Sequence, residues 1–238
     1  MNTYRRTAVT VGILFIAGTV SGILSGVVTA PVMSEATYPL NISASEPQWI
    51  LGTLLILIMG LPLAMIPIFL YPIFKKHNEV LALGAVLFRG VLEAVCYTGM
   101  VISMFLLLTV SQLYAKTGAV DAVNLQALGT TLIATVNWGN LILAIVFSVG
   151  ALMIYTLFYQ TRLIPRWLSG WGFVGAVLYF FAPLVTLFVS RNMALSLDSE
   201  FGFLMIPLAI QEMVFAVWMI LRGFDLSAVA ALSAKQLK

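Results

Sequence analysis

The chain is short of charge, of cysteine and of histidine, and each shortage closes off a class of protein. Only 9% of its 238 residues are Asp, Glu, Lys or Arg, whereas an ordinary soluble domain carries about 25%. Its single cysteine, Cys96, can form no intramolecular disulfide. With the single histidine, His77, it excludes a cysteine- or histidine-rich zinc site and a haem held by two histidines. No metal and no cofactor is therefore expected. No HExxH or GxSxG pattern occurs, and no histidine lies inside an apolar run to serve a serine nucleophile. No catalytic residue can be assigned. The formal net charge of +3 comes from residues at the ends of apolar runs and gives no reason to expect nucleic acid.

What the chain has in abundance is apolar surface. Hydrophobic residues make up 61% of it and the mean hydropathy is +1.05. A soluble core of this size could not hide so much, so the chain reads as a polytopic membrane protein whose first partner is the lipid bilayer. At about 20 residues per span, six helices fit. The expected architecture is all-α, a single six-helix transmembrane domain with spans near 7–30, 49–74, 80–110, 132–158, 171–189 and 201–221. The first run is too long for a signal-peptide core, and Pro31 spoils the cleavage context after Thr29 and Ala30, so it is read as an uncleaved span. Gly18, Gly22 and Gly26 recur every four residues in it. Such a row lets another backbone approach closely, within the monomer or in a homo-oligomer through span 1.

Pro62 and Pro67 interrupt the second span, Pro183 the fifth and Pro207 the outer part of the sixth. The stretch Ser111–Thr131 is polar enough to read as a loop, with Asp121 capping a short helix ahead of span 4. Ser169 is the expected N-cap of span 5, Gly223 the stop after span 6, and the last residues a short surface helix. Counting basic residues by side gives nine (Arg5, Arg6, Lys75, Lys76, Arg162, Arg166, Arg222, Lys235, Lys238) against two (Lys116, Arg191). By the positive-inside rule both termini are cytoplasmic. Arg162, Arg166, Trp167 and Trp171 read as anchors at that membrane interface.

Three charges remain inside the apolar runs. Arg89 and Glu93 lie in span 3 at i,i+4, on one helix face where guanidinium can reach carboxylate. Tyr97 extends that stripe, and Glu212 lies near the centre of span 6. A charge at mid-bilayer costs roughly 2.5–3.5 kcal/mol, so these residues need compensation. Ionised together, the three leave one negative charge over. Either Glu212 exchanges a proton or meets a cationic ligand, or the cluster is structural, with Arg89 bridging both carboxylates or Glu212 staying protonated and hydrogen-bonded. Asn137 and Asn140, in span 4, are further candidates for ligand contact.

Three segments carry a family resemblance: YPIFKKHNEVLALGAVLFRGVLEA (Tyr71–Ala94), TRLIPRWLSGWGFVGA (Thr161–Ala176) and EMVFAVWMILRGF (Glu212–Phe224). With the six-span layout, they resemble the domain-of-unknown-function 4386 family of bacterial membrane proteins. The resemblance implies a six-helix integral protein of a bacterial cytoplasmic membrane and brings no reaction with it. Three functional classes stay open. The first is binding or transport of a small apolar or cationic ligand around Arg89, Glu93 and Glu212. It is helped by two inverted halves, each with a proline-broken middle helix and a glutamate in its last. The second is a structural or regulatory membrane subunit. The third, an intramembrane enzyme, has no signature behind it.

Overall fold

A computed structural model describes residues 3–33, 40–117, 121–189 and 200–235. Among these there is no strand, as an apolar chain in lipid requires when no barrel closes: every backbone polar group must be satisfied inside its own helix. Six helices are long and apolar enough to cross a membrane. They are α1 (Thr3–Met33), α2 (Glu46–Phe74, preceded by a 3₁₀ turn at Ile42–Ser45), α3 (Glu79–Thr117), α4 (Ala122–Thr161), α5 (Arg166–Val189) and α6 (Ile206–Leu221, preceded by a 3₁₀ turn at Gly202–Met205). A short α7 (Leu226–Lys235) follows. Each helix packs against the next in sequence, and α6 returns to α1, so the six form a closed ring.

Several helix ends differ from the expectation. The polar stretch 111–131 is mostly helical: α3 runs on to Thr117 and α4 begins at Ala122. Threonine hydroxyls at 117, 130, 131 and 135 donate to the carbonyls four residues back, so these side chains satisfy themselves on the helix surface. Asp121 stands at the N-cap of α4 itself, but its side chain accepts no capping hydrogen bond. At 40 residues, α4 is about 60 Å long, twice the thickness of a hydrocarbon core. Ser169 is not an N-cap. α5 starts at Arg166, with the Pro165 carbonyl accepting from the Leu168 and Ser169 N–H groups, and the Ser169 hydroxyl is buried, donating to Arg166 O at 3.2 Å. Pro207 sits in the first turn of α6, where its missing donor costs nothing. Gly223 ends α6 at φ +72°, as a helix stop demands. Asp225 then caps α7: its Oδ1 accepts from the Ser227 and Ala228 N–H groups, and the Ser227 hydroxyl and these contacts hold its carboxyl below the usual range. Glu35, Arg191, Asp198 and Lys238 lie outside the described residues.

The glycine row of α1 faces α2 only in part. A β-carbon at Gly18 would stand 2.6 Å from Leu63, and one at Gly22 2.5 Å from Met59, but Gly26 has nothing within 4 Å. Four residues of α-helix turn through about 400°, so a row at i+4 drifts by about 40° per step. Ser25 and Thr29 take over the face that Gly26 leaves. Ser25 Oγ donates to Gly52 O at 2.7 Å, and Thr29 lies against Gly52.

The two ends of the ring differ in chemistry. At one, the Arg5 guanidinium donates to the carbonyls of Met219 and Ile220, Lys76 Nζ to the Tyr4 hydroxyl, and His77 pairs with Gln160. Arg162, Arg166 and Arg222 belong to this basic end. At the other, Ser43 N donates to Ser111 Oγ, and Gln112 to Glu46. Between them, interlocked aromatics fill the interior, including Phe15 edge-on to Phe215 at 5.3 Å and Phe74 edge-on to Phe158 at 4.8 Å.

Candidate functional site

Residues Val86–Leu92 of α3 form a π-helical segment, and Arg89 is its middle residue. The main chain is widened there, with Glu93 N–H reaching back to Phe88 O. Such bulges are rare and gather at functional sites. The flanking helix explains its seat. A β-carbon at Gly150 of α4 would lie 2.7 Å from the Arg89 nitrogen, and one at Gly90 would lie 3.3 Å from Ala64 O of α2. The wide turn is therefore wedged between α2 and α4.

From this turn the Arg89 side chain enters the centre of the ring, 1% exposed. Its Nη1 donates to Glu93 Oε2 at 3.3 Å, and its Nη2 donates to Glu212 Oε1 of α6 at 2.9 Å. Its guanidinium lies 3.8 Å from the centroid of the Phe147 ring and 5.8 Å from that of Phe15. Thus one arginine draws four helices together: α3, α6, α4 and α1. Both ion pairs found among the described residues belong to it. The local i,i+4 pair is the longer of the two, and the pair across the ring is the shorter. Glu93 is fully buried, whereas the Glu212 side chain keeps 14% exposure.

A second polar link lies one residue from Glu212. The Tyr155 hydroxyl donates to Gln211 Oε1 at 2.7 Å, and Gln211 Nε2 donates to Leu168 O at 3.1 Å, joining α4, α6 and α5 in the interior. Gly172 of α5 makes room for the Tyr155 ring. Sequence reasoning passed over Gln211 and Tyr155. The one signal available was an amide beside the buried glutamate in an apolar helix.

The remaining candidates are placed apart from the charges or at their margin. Tyr97 is buried one turn beyond Glu93, its ring against Gly60. Asn137 and Asn140 are half-buried, the nearer seven residues (about 10 Å of helix rise) from Phe147 along α4, and neither is among the hydrogen-bond partners of the charges. Arg162, Arg166, Trp167 and Trp171 stand together at the basic end, with Arg166 over the Tyr159 ring at 5.0 Å and Trp167 and Trp171 6.5 Å apart.

The space beside Arg89 is small. A cavity of about 10 Å³, lined by Phe15, Leu70, Ala151, Ile154, Tyr155 and Phe215 along with Arg89, touches it. That is barely the volume one water needs. Every buried side-chain nitrogen and oxygen among the described residues has a hydrogen-bond partner. Among the same residues, no group of three or more His, Cys, Asp or Glu side chains comes together as a metal site. The space beside the guanidinium is filled, and both of its terminal nitrogens have carboxylate partners.

No curated protein and no solved structure matches the chain. A family model described as a domain of unknown function, DUF4386, matches residues 10–223, which takes in all six long helices and the whole Arg89 cluster. The chain belongs to the DUF4386 family, and its six-helix ring with an internal arginine shared by two glutamates is a member's architecture.

Proposed function

We propose that the protein is a non-catalytic structural or regulatory membrane component, in which the Arg89 cluster is a clamp holding α1, α3, α4 and α6 in one arrangement. The observation that carries this reading is the occupancy of the guanidinium. Both of its edges donate to carboxylates, its face stacks on Phe147, and about 10 Å³ is left beside it. A substrate site at the guanidinium would need a free edge or room for a ligand beside it, and the two carboxylates, the Phe147 ring and the small void argue against both. One cysteine placed in the void tests the reading. Ala151→Cys, in a Cys96→Ala background, puts a thiol beside Arg89. The clamp predicts that a charged, membrane-impermeant thiol reagent leaves it unmodified from either side of sealed vesicles, as it leaves Cys96→Ala alone. Modification from one or both sides would mean that the centre opens to water.

A second reading is favoured by the charge count and by the exposure of Glu212. Two carboxylates face one guanidinium, and the less buried one is on α6. A proton or small cation exchanged at Glu212 would balance the surplus negative charge, and its release would loosen the shorter of the two pairs. This is the transport reading, and water-dependent labelling at position 151 is the result that would favour it.

A further inference from the structure

The basic end holds a cavity of about 460 Å³ between the α4–α5 connection and the end of α6. Arg162, Arg166 and Arg222 line it, together with Trp218 and Asp225. The Asp225 carboxylate is turned to capping α7, and three cationic side chains stand against that one acid. Arg166 lies over Tyr159, while Arg162 and Arg222 make no side-chain hydrogen bond or ion pair among the described residues. A groove of about 420 Å³ continues from this cavity along α6, lined by Met213, Val214, Val217 and Leu221, and Trp218 and Arg222 line both spaces. Val217 and Leu221 are 49% and 70% exposed on that face. Trp167 stands edge-on to Trp218 at 6.2 Å, giving the junction an indole wall.

Arg162 is also held in a conformation that costs something. It ends α4 at φ +55°, the left-handed region where glycine or asparagine is the usual occupant. A residue with a β-carbon is disfavoured in the left-handed region, so a long cationic side chain at this position calls for a compensating role.

We propose that this end of the protein binds an anionic phospholipid, with the phosphate among Arg162, Arg166 and Arg222 and an acyl chain along the α6 groove. Guanidinium groups pair with phosphate oxygens in two-point hydrogen bonds, and basic pockets at the ends of membrane helices suit acidic head groups. Continuity with an apolar groove is what selects a lipid over free phosphate. The tryptophans sit where head group gives way to chain.

The test uses the full chain, delipidated in detergent, with phosphatidylglycerol and phosphatidylcholine of the same acyl chains offered at equal concentration and bound lipid read by native mass spectrometry. Wild type is expected to retain phosphatidylglycerol about tenfold over phosphatidylcholine. Arg162→Gly relieves the left-handed strain, so it folds at least as well as wild type. Combined with Arg222→Gln, it should bring the two lipids to equal retention without lowering the lipid-free melting temperature. Inorganic phosphate at millimolar concentration should not displace bound phosphatidylglycerol. Equal retention of both lipids by wild type would overturn the proposal, as would undiminished preference in the double variant. Displacement by free phosphate would reassign the cavity to a soluble anion and overturn the lipid.

Discussion

Gly150 of α4 lies against the main chain of Arg89, so close that a β-carbon at 150 would be 2.7 Å from the Arg89 nitrogen and 2.8 Å from its β-carbon. The widened turn and the glycine occupy each other's space. Neither is understood alone: the extra width at Val86–Leu92 pushes the Arg89 backbone outward, and α4 receives it only where it has no side chain.

Gly150→Ala should therefore be costly, since the atoms a methyl would meet are backbone and cannot swing aside. Overpacking of this kind costs about 1–3 kcal/mol. Gly99→Ala is the control. Nothing lies within 4 Å of a β-carbon there, so the usual helix-propensity gain of up to about 1 kcal/mol should appear instead. Thermal melting of the two variants in one detergent should move in opposite directions. Equal melting would mean that α4 can shift away from the π turn without penalty.

The charge cluster makes a prediction about non-additivity. With two carboxylates for one arginine, either can be made an amide and Arg89 still keeps an ionic partner. Glu93→Gln and Glu212→Gln alone should each cost about 1 kcal/mol, the scale of a weakened hydrogen bond. The double variant leaves Arg89 buried with no counter-charge, which costs about 3–5 kcal/mol. A double-mutant cycle measures the excess directly. Additive losses would mean that the two pairs act separately and that the clamp is not shared.

Much of this arrangement was legible beforehand, and the reasons divide cleanly. Arg89 and Glu93 announce themselves because charge inside an apolar run is expensive and their spacing keeps them on one face. Glu212 announces itself by the same cost, but its partner lies 123 positions away, and only closure of the ring brings α6 to α3. The π turn leaves no trace in hydropathy, and the bare backbone that receives it, at Gly150, lies on another helix. Ends of helices were misjudged where polarity stood in for loop, as at Thr130 and Thr131, whose hydroxyls are satisfied by their own helix. Ser169 carries a capping residue's chemistry, yet the helix starts after Pro165, at Arg166, five residues before the expected start at Trp171.

Tyr155→Phe should test the second polar link. Removing the hydroxyl leaves Gln211 Oε1 buried without its donor, and an unsatisfied buried acceptor costs about 1–3 kcal/mol. The ring is retained, so packing against Gly172 is unchanged and the loss is that of the hydrogen bond. Replacing Gln211 by Met in the Tyr155→Phe background removes the orphaned amide and should restore part of the stability. If Tyr155→Phe melts as wild type does, water reaches this part of the interior, and the filled core on which the clamp reading rests would be open there.

The basic end makes a prediction about orientation in the membrane. Side-chain bonds gather Arg5, Lys76, Gln160 and the end of α6 on the same side of the ring, and cationic side chains favour the cytoplasmic face. Reporter fusions after Gln160 are expected to signal cytoplasm, and fusions after Asp121 the outside, one span away. Arg5 is a poor residue with which to reverse this. Its guanidinium is bound to the carbonyls that end α6, so Arg5→Gln should loosen that helix end before it changes topology. The orientation bias is expected to rest instead on Lys75, Arg162, Arg166 and Arg222, which make no ion pair among the described residues. Moving basic residues to the opposite end beside Glu46 and Asp121, with those four neutralised, should raise the fraction of inverted molecules. A cytoplasmic signal after Asp121 in the wild-type chain would mean that α4 does not cross the membrane, and the alternating up-and-down ring would have to be redrawn.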